Sequence, residues 1–113
     1  MSDAPVYMIV MLDIEDMGSF MQDYAGPLQA IHAKHGVETL VASPSVEVLE
    51  GKYSKSVTVV LKFPSENAQR AWYEDPDYQP LLKRRFELTN TDTSVALLAP
   101  HVGTELSERG LSQ

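Results

Sequence analysis

Cysteine is absent from the 113 residues. That excludes disulfides, a thiolate nucleophile and sulfur ligation of a metal, and it fits a cytoplasmic location. Basic residues are few, 9 Lys and Arg against 16 Asp and Glu, for a net charge of -7. Nucleic acid and anionic membrane surfaces both require a basic face, so neither is expected as a partner. No apolar run approaches the ~20 residues of a membrane span. The opening Met1-Ser2-Asp3-Ala4-Pro5 lacks the charged-then-apolar pattern of a secretory leader. There is no glycine-rich phosphate loop and no serine-nucleophile motif, so no cofactor is implied. Internal repeats and low-complexity segments are missing as well.

What is present is enough apolar material for one domain, 43% of the chain. Residues 6–12 are apolar at both alternating sets of positions, which marks a central strand covered on both faces. Asp16 then suits the N-cap of a long helix reaching about residue 34, with Gly36 as its C-cap. Its stripe is Met17, Phe20, Tyr24, Leu28, Ile31 and His35. Gly26-Pro27 interrupts that helix and is expected to bend it. Residues 37–42 read as a second strand and 43–45 as a break, with 46–49 extending the sheet edge. Residues 56–63 read as a third strand, and 93–99 as a fourth.

Between the third and fourth strands lies the most distinctive stretch, 63–81, which carries the only Trp and two of the five Tyr. Pro64 ends the strand and Ser65 caps a helix whose stripe is Ala68, Ala71 and Trp72. Asp75-Pro76 repeats the pattern of a cap followed by Pro at the first helical position, with Pro80 kinking or restarting the second helix. From residue 102 the chain turns polar and aperiodic and reads as a mobile tail after a domain at 1–101.

The order β-α-β-β-α-β is the ferredoxin-like α+β plan, a four-stranded antiparallel sheet with both helical units on one face. The first and third strands then lie side by side in the middle. A wet second face would expose more apolar surface than monomers tolerate, so a second copy of the chain is expected there as a homodimer partner.

Phe63-Pro64-Ser65, Ala68, Ala71-Trp72-Tyr73, Pro76, Tyr78-Gln79 and an Arg at 84 or 85 resemble the pattern of the family called domain of unknown function 1330, of the dimeric alpha-beta barrel superfamily. Tyr24, His35-Gly36 and Leu49-Glu50-Gly51 add to the resemblance, which covers roughly residues 6–100. Val37 and Lys62 depart from it, standing where the family commonly has Gly and Glu. The resemblance implies a dimeric barrel and carries over no catalytic residue. Relatives in the wider superfamily include monooxygenases, dehydratases and isomerases, so a small cofactor-free enzyme is the alternative to a binding module.

The candidate chemistry is sparse. His32 and His35 share one side of the first helix at i, i+3, but no third or fourth ligand accompanies them, so no metal site is expected. His32 reads as a surface residue, and His35 as a core-edge residue whose ordinary partner is a backbone carbonyl. Lys83-Arg84-Arg85 is the only basic run. Of these, Arg85 shares a stripe with Tyr78, Leu81 and Leu82, and either turns inward toward an anion or lays its stem over apolar surface. His35, Trp72, Tyr78 and Arg85 are thus the candidate ligand-binding residues, the bulky polar-tipped groups on otherwise apolar stripes. They suit a small apolar molecule with an anionic or carbonyl group, held between sheet and helices.

Overall fold

The structure is a computed structural model and describes residues 4–100. Its four strands are β1 (Val6–Leu12), β2 (Glu38–Ser43), β3 (Val57–Phe63) and β4 (Val95–Pro100). They form one antiparallel sheet in the order β2-β3-β1-β4, the α+β ferredoxin-like plan with β1 and β3 central. The expected polar tail and His101 lie outside the described residues.

Strand alternation divides the sheet into two different faces. Val6, Met8, Val10 and Leu12 of β1 and Leu61 and Phe63 of β3 are buried under the helices. The opposite set contains Tyr7, Ile9 and Met11, which are only partly buried. Register places Ile9 opposite Val60 on one side and Leu97 on the other, with Val41 beyond Val60. An unbroken apolar row therefore crosses all four strands on the helix-free face, and Leu97 is 47% exposed there.

The first helical run has the expected extent but is built in three parts. Asp16 accepts the Ser19 N–H and caps α1 (Met17–Phe20), a five-residue π turn covers Met21–Ala25, and α2 (Gly26–His35) follows. The π turn has a local cause. Pro27 carries no N–H and its ring crowds the carbonyl four residues back, so the ladder slips by one residue. The Gly26 N–H accordingly reaches the Met21 carbonyl, where a Cβ on Gly26 would stand 3.2 Å from that oxygen. At the far end Gly36 adopts φ 69° and caps α2.

Two boundaries differ from expectation. Residues 46–49 form no strand, because β3 begins only at Val57 and β2 already meets it at Ser43–Thr58, leaving them no ladder to join. After α3 (Glu66–Tyr73), the next helix does not start at Pro76. Residues 76–78 make a turn in which the Tyr78 N–H reaches the Asp75 carbonyl, and α4 (Gln79–Leu88) begins beyond it with Pro80 in its first turn. Asp75 caps this turn rather than a helix, its Oδ1 accepting the Asp77 N–H.

Gly36 supports a direct test. A side chain there would meet both the left-handed backbone and Pro64, whose Cγ would lie 3.3 Å from the new Cβ. Gly36→Ala is expected to cost about 1–2 kcal/mol, read as a lower urea midpoint at unchanged slope. An unchanged midpoint would mean that this cap does not hold the α2–β2 connection.

Candidate functional site

A buried polar cluster gathers around four aromatic residues, Trp72, Tyr78, Phe63 and Tyr24. Trp72 from α3 stacks 4.4 Å from the Tyr78 ring and meets Phe63 edge-on at 5.2 Å. Tyr24, aimed inward from the π turn, brings its hydroxyl 2.8 Å from that of Tyr78. Arg85, on α4, is 5% exposed, and its Nη1 donates to both hydroxyls at 3.3 and 3.4 Å. Its guanidinium also lies 5.7 Å from the centre of the Tyr24 ring. Arg84, one residue earlier, points the other way and pairs with Asp23 and Glu87.

The arrangement around Arg85 is unusual electrostatically. A guanidinium stays charged under all ordinary conditions, and burying it without a counter-charge is costly. Among the described residues no carboxylate pairs with it. Phenol oxygens and ring faces compensate the charge in part. Burial pushes the Tyr78 hydroxyl far above its ordinary pKa, so that partner is neutral.

Arg85 also forms part of the wall of a cavity of about 330 Å³ between the sheet and the first helical run. Its body is apolar, with Val10, Phe20, Leu28, Val59 and Leu61 in the lining. The buried polar groups of that lining are Tyr24, His32 and Arg85. Leu12 and Arg85 are shared with a smaller cavity of about 210 Å³ that carries the hydroxyl-bearing Thr89, Thr91 and Ser94.

The four residues singled out from the sequence are thus placed unequally. Trp72, Tyr78 and Arg85 come together in one buried cluster, and of the four only Arg85 lines the larger cavity. His35 sits outside it, with Nε2 2.7 Å from the carboxylate of Asp75 rather than at a backbone carbonyl. Lys34 reaches the same carboxylate at 2.7 Å. Lys34, then His35 and the Asp77 N–H, hold Asp75 well below the usual carboxylate range. This is a tie between the end of α2 and the α3–α4 turn.

His32 is the residue that sequence reasoning misplaced. It is buried, not on the surface, and accepts the Trp72 Nε1–H at 3.1 Å through Nδ1. The signal that finds it is its position four residues after Leu28, where it shares the buried stripe as fully as Ile31 does at three. Its ring stacks on Trp72, so His32 and His35 face different partners.

Residues 5–97 match the family model "Domain of unknown function (DUF1330)", and the chain belongs to that family. No curated protein matches. Among solved structures, RPA0582 from Rhodopseudomonas palustris, a protein of unknown function, is similar over 90% of this chain and 85% of its own, with a TM-score of 0.74 at 13% identity. A dimeric ferredoxin-like protein of unknown function from Jannaschia sp. CCS1 is similar over 87% of this chain and 99% of its own, with a TM-score of 0.73 at 17% identity. SnoaB from Streptomyces nogalater, a cofactor-independent oxygenase, covers 90% of this chain and 96% of its own, with a TM-score of 0.60 at 15% identity. At these identities the similarity is one of fold.

His32 makes the stability of the chain pH-dependent. Burial lowers its pKa from 6.5 to about 4, so between those values the unfolded chain binds the proton and the folded one does not. Its contribution is complete above pH 6.5 and is lost as the pH falls toward 4. His32→Gln keeps an acceptor for Trp72 and removes the titration. Relative to it, the wild type is expected to lose roughly 2–3 kcal/mol between pH 7 and pH 4 in chemical denaturation. Parallel pH profiles for the two proteins would refute the buried neutral imidazole.

Proposed function

We propose that this chain is a small-molecule binding protein that takes a compact apolar molecule carrying a carboxylate or a carbonyl. The observation that carries this reading is the buried Arg85 guanidinium, unpaired with any carboxylate among the described residues, on the wall of an apolar cavity. The cavity stands at the small end of ligand pockets, which suits a body of one or two rings. The carboxylate supplies the missing counter-charge through charge-assisted hydrogen bonds. Tyr24 and His32 complete the polar lining, while Trp72 and Tyr78 support them from behind. His35 belongs to the Asp75 tie and has no part in this binding scheme.

The proposed assembly is a homodimer with the helix-free faces of two sheets stacked. The apolar row Val41, Val60, Ile9 and Leu97 favours it, because a free chain leaves that face wet. The Jannaschia protein of the same fold is dimeric. A cofactor-free enzyme is the second reading, favoured by the likeness in fold to SnoaB and carried no further than that.

Two measurements test the proposal. Arg85→Met replaces a buried charge by an apolar chain of similar length, and Tyr24 and Tyr78 still satisfy one another. Removing a buried charge that has no ion-pair partner also removes its desolvation cost. The variant is therefore expected to melt no lower than the wild type while losing the thermal shift that benzoate or 1-naphthoate gives the wild type. A loss of several kcal/mol without any change in binding would make Arg85 structural. For the assembly, Ile9→Lys places a charge at the centre of the apolar row. Light scattering is expected to give a dimer mass for the wild type and a monomer mass for the variant at micromolar concentration. A monomeric wild type refutes the stacked-sheet dimer.

A further inference from the structure

Two of the three polar side chains buried in the cavity wall, His32 and Arg85, offer only donors to the cavity, and Trp72 is the reason for one of them. An indole N–H donates and has no acceptor capacity. Because Trp72 Nε1 points at His32 Nδ1, that nitrogen must carry a lone pair, and the single proton of the neutral ring sits on Nε2. Among the described residues Nε2 has no protein partner, and His32 lines the cavity. Burial keeps the imidazole neutral, with its pKa lowered to about 4. His32 therefore offers an uncharged N–H donor.

Arg85 reinforces the same polarity, since its five N–H groups donate and none accepts. The Tyr24 hydroxyl oxygen already receives an Arg85 N–H and shares a proton with Tyr78. Either hydroxyl can donate in that pair, so Tyr24 is left with its own proton to give or with a lone pair to receive one. The groups of the lining able to accept freely, Thr39 and Gln29, lie at its exposed rim.

We propose that Trp72, by fixing His32 as an Nε2–H donor in the same cavity wall as the Arg85 guanidinium, biases the buried wall toward donors, so that it selects ligands whose buried head accepts hydrogen bonds over those whose head donates them. This deepens the binding function proposed above and rests on it for the identity of the ligand. Carboxylates fit such a wall, as do enolates and ketones. Alcohols, primary amides and ammonium groups each bring donors for which the Tyr24 oxygen is the sole buried side-chain acceptor among the described residues of the lining, and a donor left unmatched weakens binding strongly. The same geometry denies the cavity a general base at His32, whose free nitrogen already holds its proton. Trp72 is on this account a specificity-determining residue that acts through His32 without touching the ligand.

The tautomer is tested first, with no ligand present. Ring nitrogen NMR of the full chain labelled at histidine, with His32 assigned by its loss in His32→Gln, is expected to show Nε2 protonated and Nδ1 bare from pH 8 down to about 5. A protonated Nδ1, or an imidazolium at pH 6.5, overturns the proposal. Titration with benzoate, benzyl alcohol and benzylamine is then expected to give at least tenfold tighter binding of benzoate than of the alcohol, and none of the amine. Comparable binding of the amine overturns the donor-biased wall even where the tautomer is as expected. Trp72→Phe releases Nδ1, and the benzoate-to-alcohol ratio is expected to fall severalfold; an unchanged ratio in a folded variant removes Trp72 from the argument. Should none of the three probes bind while the tautomer holds, the binding function falls and the fixed Nε2–H donor stands.

Discussion

The Tyr24–Tyr78 hydrogen bond, with Arg85 reaching both oxygens, joins two parts of the helical layer that are 54 residues apart in sequence. Its geometry depends on choices made elsewhere. The π turn that Gly26-Pro27 forces aims Tyr24 inward, and the turn at 76–78 brings Tyr78 under Trp72. Phe63, at the end of β3, closes the cluster from the sheet side. A buried cation among neutral phenols and rings is the electrostatic outcome. Phenol oxygens and ring faces offset its desolvation only in part, and the proposed function rests on that remainder.

Local chemistry made much of the fold legible. Strand β1 has the extent its double-sided apolar run indicates, Asp16 and Ser65 cap as their side chains predict, and Gly36 ends α2 in the left-handed conformation. Partnering set the boundaries that sequence could not reach. Residues 46–49 have strand character but no ladder to join, and Asp75 caps the 76–78 turn through Oδ1 while Oδ2 meets Lys34 and His35, 40 residues or more away. Helical spacing did place Trp72, Tyr78 and Arg85 on inward stripes. Which of two histidines faced inward turned on the width of the α2 stripe, which admits His32 beside Ile31 and leaves His35 at the edge for Asp75. A cavity is a property of packed volumes, and no periodicity announces one.

Family membership and fold fix the scaffold and leave chemistry to the site. Chains with this fold include proteins of unknown function and a cofactor-independent oxygenase, so the fold alone selects no reaction. The two faces of the sheet divide the labour in this account: one carries the helices and the cavity, the other the apolar row that suits a second copy. His32, Tyr24 and Arg85 all belong to the helical side, so the cavity described is built within a single chain.

The most direct measurement is a crystal structure of the protein grown with 1-naphthoate. The account predicts the rings inside the cavity against Leu28, Val59 and Leu61, with a carboxylate oxygen within hydrogen-bond distance of the Arg85 guanidinium. A naphthoate bound elsewhere, or a cavity left empty with Arg85 turned out to solvent, would contradict it.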